Sequence, residues 1–219
     1  TLKLKTNIGK YKFVQSNNND ILITNNEIIL NNIESPSVTA PQESPENWFI
    51  WGSNGTQING LSATGLNQKR IALPSKATSI TNTALYNNEK LVSVDMSLTS
   101  ITSIPNGTYG SSGTFRNDSN LISISLPPYL TSIGYTAFWS CSSLISITIP
   151  DLVNSIASDV FNSCSSLTSI TMPNSVTSIG IDAFYNVPST CTMYVSSTWN
   201  KTLATKARYS GTFSIIENI

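Results

Sequence analysis

Few residues of this chain have the side chains that enzymes use for catalysis. Its 219 residues include no histidine, which removes imidazole-based triads, histidine-ligated metals and imidazole acid–base chemistry. Nothing in the sequence supplies a base that would activate Cys141, Cys164 or Cys191 as a nucleophile. Asp159 and Asp182 could approach one Ca²⁺ ion, but without further acids we expect each to cap a turn by accepting N–H hydrogen bonds. We therefore predict no enzyme, no cofactor and no metal site.

The spacing of these residues is more informative than their chemistry. Cys141 and Cys164 are 23 residues apart, and the same interval separates the residues of four other columns. A shared period of this kind predicts a stack of similar coils. Residues in register on such a stack point the same way, so we predict a ladder of buried free thiols instead of a disulfide. The four columns are Phe138, Phe161 and Phe184; Leu121, Leu144 and Leu167; Pro127, Pro150 and Pro173; and Ile133, Ile156 and Ile179.

Each coil must therefore supply short strands and a turn. In the coil at 144–166, Ile147 and Ile149 alternate with hydroxyl residues, as expected of a strand with one buried face. Pro150 lacks an N–H and ends this strand. A second short strand and a short helical turn follow, and the turn buries Phe161. The pattern predicts five coils, at residues 68–90, 91–120, 121–143, 144–166 and 167–190.

Three segments are predicted along the chain. Residues 1–46 contain a small β module and a proline-rich linker, which either attaches the array to something larger or caps its open edge. Residues 47–190 form the solenoid, and residues 191–219 form a C-terminal cap. The second coil carries a Gly- and Ser-rich insertion with Tyr109 at its tip.

Composition narrows the range of partners. Charged residues make up 11% of the chain and the formal net charge is zero, so nucleic-acid binding has no electrostatic basis. Apolar runs are only a few residues long, which predicts no membrane span, and no basic leader precedes an apolar stretch. Between Asn117 and Asn200 there is no Lys or Arg, whereas residues 1–12 contain four Lys.

One row of residues is the main candidate for binding a partner. If each Phe points inward, the residue after it should point outward. Aromatic residues and Arg dominate the energetics of interfaces, which favours a binding role for this row. The alternative is that Trp139 and Tyr185 only shield the seam between coils. The candidates are Tyr86, Arg116, Trp139 and Tyr185, together with Tyr109 in the insertion.

The repeat resembles the BspA-type leucine-rich repeat of 23 residues. The segment from Leu130 to Cys141 and the segment from Val176 to Phe184 are similar to its pattern of Val/Leu-Thr-x-Ile-Gly-x-x-Ala-Phe. The resemblance covers residues 47–219 and implies a β-rich solenoid, a right-handed leucine-rich-repeat array. It further implies a surface or secreted protein that binds a protein or a host cell-surface receptor.

Two functions remain open at this point. The first is a non-catalytic recognition or adhesion protein that is extracellular or displayed at the cell surface. The second is a phage decoration or fibre protein at the virion surface, in which residues 1–46 dock on the particle and the repeats face outward. In either case residues 1–46 could join the chain to a larger assembly, and an oligomer is compatible with the sequence.

Overall fold

The computed structural model describes residues 2–5, 21–24, 27–30, 42–108 and 110–216. The chain divides into two compact units, residues 1–42 and 43–219. In the first unit, an antiparallel sheet has the strand order β1-β3-β2, which confirms the strands predicted after Asp20 and Asn26. The predicted strand around Tyr11 and Phe13 lies outside the described residues. The three strands are β1 (Leu2–Lys5), β2 (Ile21–Thr24) and β3 (Glu27–Leu30).

The second unit consists of short strands that recur once or twice in each coil. It contains one α-helix among its described residues, α1 (Thr202–Lys206), and two 3-10 helices, Glu46–Trp48 and Gly65–Asn67. Its strands are β4 (Phe49–Trp51), β5 (Gln57–Leu61), β6 (Arg70–Ala72), β7 (Ser79–Ile80), β8 (Ser93–Asp95), β9 (Ser103–Ile104), β10 (Ser123–Ser125), β11 (Ser132–Ile133), β12 (Ser146–Thr148), β13 (Ser155–Ile156), β14 (Ser169–Thr171), β15 (Ser178–Ile179), β16 (Thr192–Val195) and β17 (Thr212–Ile215).

These strands form two parallel ladders. The first ladder contains β6, β8, β10, β12, β14, β16 and β17, and the second contains β5, β7, β9, β11, β13 and β15. Strand β12 pairs with β14 so that Ser146 lies beside Ser169 and Ile147 beside Ile170, which is the 23-residue register predicted from the sequence. The solenoid has about seven turns instead of the five predicted, because β16 and β17 extend the first ladder and β5 opens the second.

A column of phenylalanines runs through the core. Phe115, Phe138, Phe161 and Phe184 are fully buried. Their ring centroids lie 4.9, 5.6 and 5.8 Å apart in order, with interplanar angles of 0°, 9° and 8°. These offsets match the stacked geometry that aromatic pairs favour, and the predicted column is confirmed.

The column ends at a tyrosine that changes its geometry. Tyr209 packs edge-on against Phe184 with centroids 5.5 Å apart, and Phe213 packs edge-on against Tyr209. The Tyr209 hydroxyl lies 2.8 Å from the carbonyl oxygen of Cys191 and 2.9 Å from that of Thr212. Burial raises the pKa of this hydroxyl, so it is a neutral donor at physiological pH. An edge-on ring gives no flat surface on which a further phenylalanine could stack.

Candidate binding surface

The turn that follows each buried Phe has a recurring left-handed residue. Hydrogen-bonded turns replace the predicted short helical turns, with Cys141 N donating to Phe138 O at 3.1 Å as one example. Two residues after each column position, φ lies between 56° and 62°. Asn tolerates this conformation well, whereas Ser stores strain there. The five residues are Asn87, Asn117, Ser140, Ser163 and Asn186.

This left-handed residue aligns the predicted row from one coil to the next. Its N–H points along the solenoid axis and donates to the carbonyl of the row residue in the following coil. Asn87 N bonds to Arg116 O at 2.9 Å, and Asn117 N bonds to Trp139 O at 2.8 Å. Ser163 N makes the same bond to Tyr185 O at 2.8 Å. The structure therefore stacks the row residues in register, as the 23-residue period predicts.

The side chains of the row interact across neighbouring coils. The Arg116 guanidinium lies over the Trp139 ring at 4.4 Å from its centroid. One helical turn of the C-terminal segment supplies a second pair, in which the Arg208 guanidinium lies 5.1 Å from the Tyr185 ring centroid. Arg208 Nε also bonds to Asp182 Oδ1 at 2.7 Å. Arg208 was missing from the predicted row, because the insertion-free period ends before residue 191.

The prediction that every row residue points outward is only partly correct. Tyr185 is 41% exposed, whereas Tyr86, Arg116 and Trp139 are half-buried. The fifth member, Asn162, is only 6% exposed, because its Nδ2 donates to Asp159 Oδ1 at 2.7 Å and holds the amide against the turn. The row is thus a partly sheltered stripe interrupted at its fourth coil. Tyr109 lies outside the described residues.

The two aspartates have a different role from the predicted one. Asp159 and Asp182 themselves adopt left-handed φ values of 57° and 59°. Their carboxylates bond to the side chains of Asn162 and Arg208 instead of capping backbone N–H groups. No group of three or more Cys, Asp or Glu side chains within the described ranges could hold a metal ion.

The cysteines form a ladder of free, buried thiols, as predicted. Cys141 Sγ donates to Phe115 O at 3.0 Å, and Cys164 Sγ donates to Phe138 O at 3.2 Å, so each thiol joins two coils. Burial raises the pKa of the Cys164 thiol to about 12 and raises that of Cys141 well above its usual range. These thiols are structural donors at neutral pH.

A buried carboxyl group continues the cysteine column. Asp118 occupies the position three residues after Phe115, which is filled by Cys in the next two coils. Its side chain is fully buried, and Oδ1 accepts the Asn88 N–H at 2.7 Å. Oδ2 has no hydrogen-bond partner, and burial raises the pKa of Asp118 well above its usual value. Sequence analysis missed this site, although its register position marks it.

Two ladders of short parallel strands, joined by tight turns around columns of Phe and Cys, define a leucine-rich repeat solenoid. Residues 46–114 and 97–207 match the family model described as BspA type leucine rich repeat region (6 copies). The chain belongs to this family. Leucine-rich repeat proteins generally mediate protein interactions.

Solved structures with the same fold come from bacteria. A leucine-rich repeat protein of T. pallidum is 28% identical, with 70% of this chain and 71% of that chain covered and a TM-score of 0.59. The pneumococcal vaccine antigen PcpA is 20% identical over 78% of this chain and 46% of its own, with a TM-score of 0.57. A leucine rich cell surface protein of Faecalibacterium prausnitzii is 23% identical over 77% of this chain and 41% of its own, with a TM-score of 0.57.

The chain spans less than half of the length of the last two proteins. At 20% and 23% identity, they share the fold with this chain. A comparison with curated proteins gives no significant match. In the part of the chain that the structure describes, no helix combines the length and apolar character needed to cross a bilayer.

Proposed function

We propose that this protein is a non-catalytic recognition protein that is displayed outside the cell and binds a protein receptor through its solenoid. The observation that carries the proposal is the stacked row of Tyr86, Arg116, Trp139 and Tyr185. These are the residue types that contribute most to binding energy at interfaces. The row extends over several coils, which suits an elongated contact with another protein.

The contacts within the row favour binding because they fix the side chains beforehand. Arg116 lies across the Trp139 ring, and both side chains are half-buried. A side chain that is already ordered loses less conformational entropy when a partner docks on it. The planar guanidinium remains able to recognise a carboxylate or a carbonyl oxygen of the partner.

Surface display is supported by the kind of protein that shares the fold. The similar proteins include a leucine rich cell surface protein and a vaccine antigen. A non-catalytic role is supported by the chemistry on the page, since the buried thiols have raised pKa values and the sequence contains no histidine. The virion alternative depends on docking by residues 1–46, most of which lie outside the described residues, and it stays a prediction.

Binding to whole cells tests this proposal. The fluorescently labelled chain is titrated onto cultured epithelial cells and measured by flow cytometry, in parallel with immobilised fibronectin, laminin and collagen. We expect saturable binding that Trp139→Ala and Tyr185→Ala each weaken at least about tenfold, as is typical of residues at an interface centre. Arg116→Lys keeps the charge but loses the planar stacking on Trp139, and we expect it to weaken binding as well.

The control is Leu66→Ala, which removes an equally exposed apolar side chain from a 3-10 helix outside the row. It should leave binding unchanged, and thermal melting must show that every variant is folded. Saturable binding that is insensitive to the row variants would assign recognition to another surface. Absence of saturable binding to both the cells and the matrix proteins would refute the proposal.

A further inference from the structure

The first ladder is interrupted once, between β10 and β12. In four coils, the residue after the strand donates its N–H to the next strand of the ladder. The corresponding N–H of Leu126 makes no hydrogen bond within the described residues, and β10 and β12 belong to separate sheets. The four bonds are Leu73 N to Asp95 O at 2.7 Å, and Met96 N to Ser125 O, Ile149 N to Thr171 O and Met172 N to Tyr194 O, each at 2.9 Å.

This interruption differs from the one in the second ladder. Between β7 and β9 the residue that would donate is Pro105, which has no N–H, so the missing bond follows from the sequence. Leu126 has an N–H that is left without a partner. Its coil is also the one in which two prolines, Pro127 and Pro128, follow the strand, and both fix their φ angles as the chain leaves β10.

An open cleft lies where the bond is missing. Ile124 is half-buried, whereas its equivalents in the neighbouring coils, Val94 and Ile147, are 1% and 3% exposed. The cleft has a volume of about 480 Å³, with Ile124 among its lining residues. Hydroxyl residues line both strands, and the remaining lining residues include Pro128, Pro150 and Asp151.

Exposed apolar side chains extend the cleft at its proline end. Tyr129 directly follows Pro128 and is 58% exposed, and Leu152 directly follows Asp151 and is 53% exposed. Exposed apolar residues on adjacent coils, beside an unpaired backbone donor, are typical of a site that a partner covers.

We propose that this cleft binds an extended peptide segment that carries apolar and basic side chains. An extended peptide offers backbone C=O and N–H groups in alternation, and its C=O can accept the free Leu126 N–H as a strand partner would. Its apolar side chains would cover Ile124, Tyr129 and Leu152. This site is separate from the row around Trp139, and it does not depend on the function proposed for that row.

The charge preference follows from the distribution of ionisable groups. Asp151 is exposed at the cleft, and no Lys or Arg occurs between Asn117 and Asn200 to neutralise it. Of the other acids in that segment, Asp118 is buried, and Asp159 and Asp182 bond to neighbouring side chains. A basic side chain of the peptide would therefore find one uncompensated carboxylate at the cleft.

Peptide titration tests the site. The probe is a fluorescein-labelled, acetylated hexapeptide of alternating leucine and lysine, titrated with the full chain and followed by fluorescence anisotropy. We expect saturable binding, a Kd raised about tenfold or more by the double variant Tyr129→Ser with Leu152→Ser, and a weaker salt dependence in Asp151→Asn. Ile181→Ser, which alters an exposed apolar residue outside the cleft, and Trp139→Ala should leave the Kd unchanged.

A hydrogen-exchange measurement does not depend on variants that fold. Without peptide, the Leu126 amide should exchange faster than those of Met96 and Ile149, and saturating peptide should slow its exchange. Absence of saturable binding, equal binding of a leucine–glutamate hexapeptide, or no protection of Leu126 would overturn the proposal. Displacement of the peptide by a neutral oligosaccharide would assign the cleft to a sugar and overturn it too.

Discussion

Truncation of Phe161 to alanine tests the packing of the solenoid most directly. Phe161 is fully buried and stacks on two rings, Phe138 at 5.6 Å and Phe184 at 5.8 Å. Removing a buried Phe side chain costs about 3–5 kcal/mol through lost transfer free energy and the cavity that remains. Each aromatic pair adds about 0.5–1.5 kcal/mol beyond area burial, and two pairs are lost, so we expect a cost near the upper end of that range.

The assay is urea unfolding at equilibrium, followed by circular dichroism and by tryptophan fluorescence. Phe161→Leu separates the two contributions, because it keeps most of the apolar volume and removes only the stacking. We expect it to cost about 1–2 kcal/mol. Ser146→Ala is the control, since Ser146 is exposed on the first ladder, and it should change the free energy of unfolding by no more than about 0.5 kcal/mol.

Two results would refute the reasoning. If Phe161→Ala and Ser146→Ala were equally destabilising, the assignment of inner and outer faces would be wrong. If Phe161→Ala cost less than about 1 kcal/mol, the neighbouring coils would have to collapse into the vacated space, which close packing opposes. Noncoincident unfolding curves from the two probes would show that the coils unfold separately, and free energies would then be compared segment by segment.

Three further predictions concern buried groups. Because burial raises the folded-state pKa of Asp118 above its unfolded value, its contribution to stability is complete below the unfolded pKa and is lost as the pH rises through the folded pKa. Urea unfolding between about pH 4 and pH 8 should show this decline, and Asp118→Asn should reduce it; an unchanged slope would contradict it. Cys141 and Cys164 should resist Ellman's reagent in the folded protein at neutral pH and react after unfolding, so rapid labelling of the native state would show that the thiols are accessible. Gly134→Ala should cost about 1–3 kcal/mol in thermal or urea unfolding, since its Cβ would collide with the Pro105 carbonyl, and a neutral effect would place that backbone farther away.

The glycine prediction also illustrates what the sequence leaves open. A Gly at the end of the second strand suggests a left-handed turn, but Gly134 does not adopt a positive φ, and the backbone of the preceding coil is what approaches it. The left-handed residues are instead Asn, Ser, Thr and Asp at two positions around each Phe. Ser140 and Ser163 give no local signal for this conformation. Backbone bonds to the next coil, which overdetermine the turn, hold them there.

The candidate row was predictable in position but not in exposure. The period alone places Tyr86, Arg116, Trp139 and Tyr185 in successive coils, and the structure brings them together. The period could not show that Arg116 folds over Trp139, or that Asn162 turns inward to Asp159. Both depend on which side chain each coil places beside its neighbour.

The sequence by itself determined the solenoid. A hydrophobic column repeated every 23 residues can bury its side chains only if each coil stacks on the last, so the register of strands, the Phe column and the thiol ladder follow from spacing. The tertiary structure alone decided where the stack is imperfect. The free N–H of Leu126, the half-buried Ile124 and the lone carboxyl of Asp118 all arise from contacts between coils. A repeat pattern describes what the coils share, whereas such sites depend on how one particular coil differs from the two that flank it.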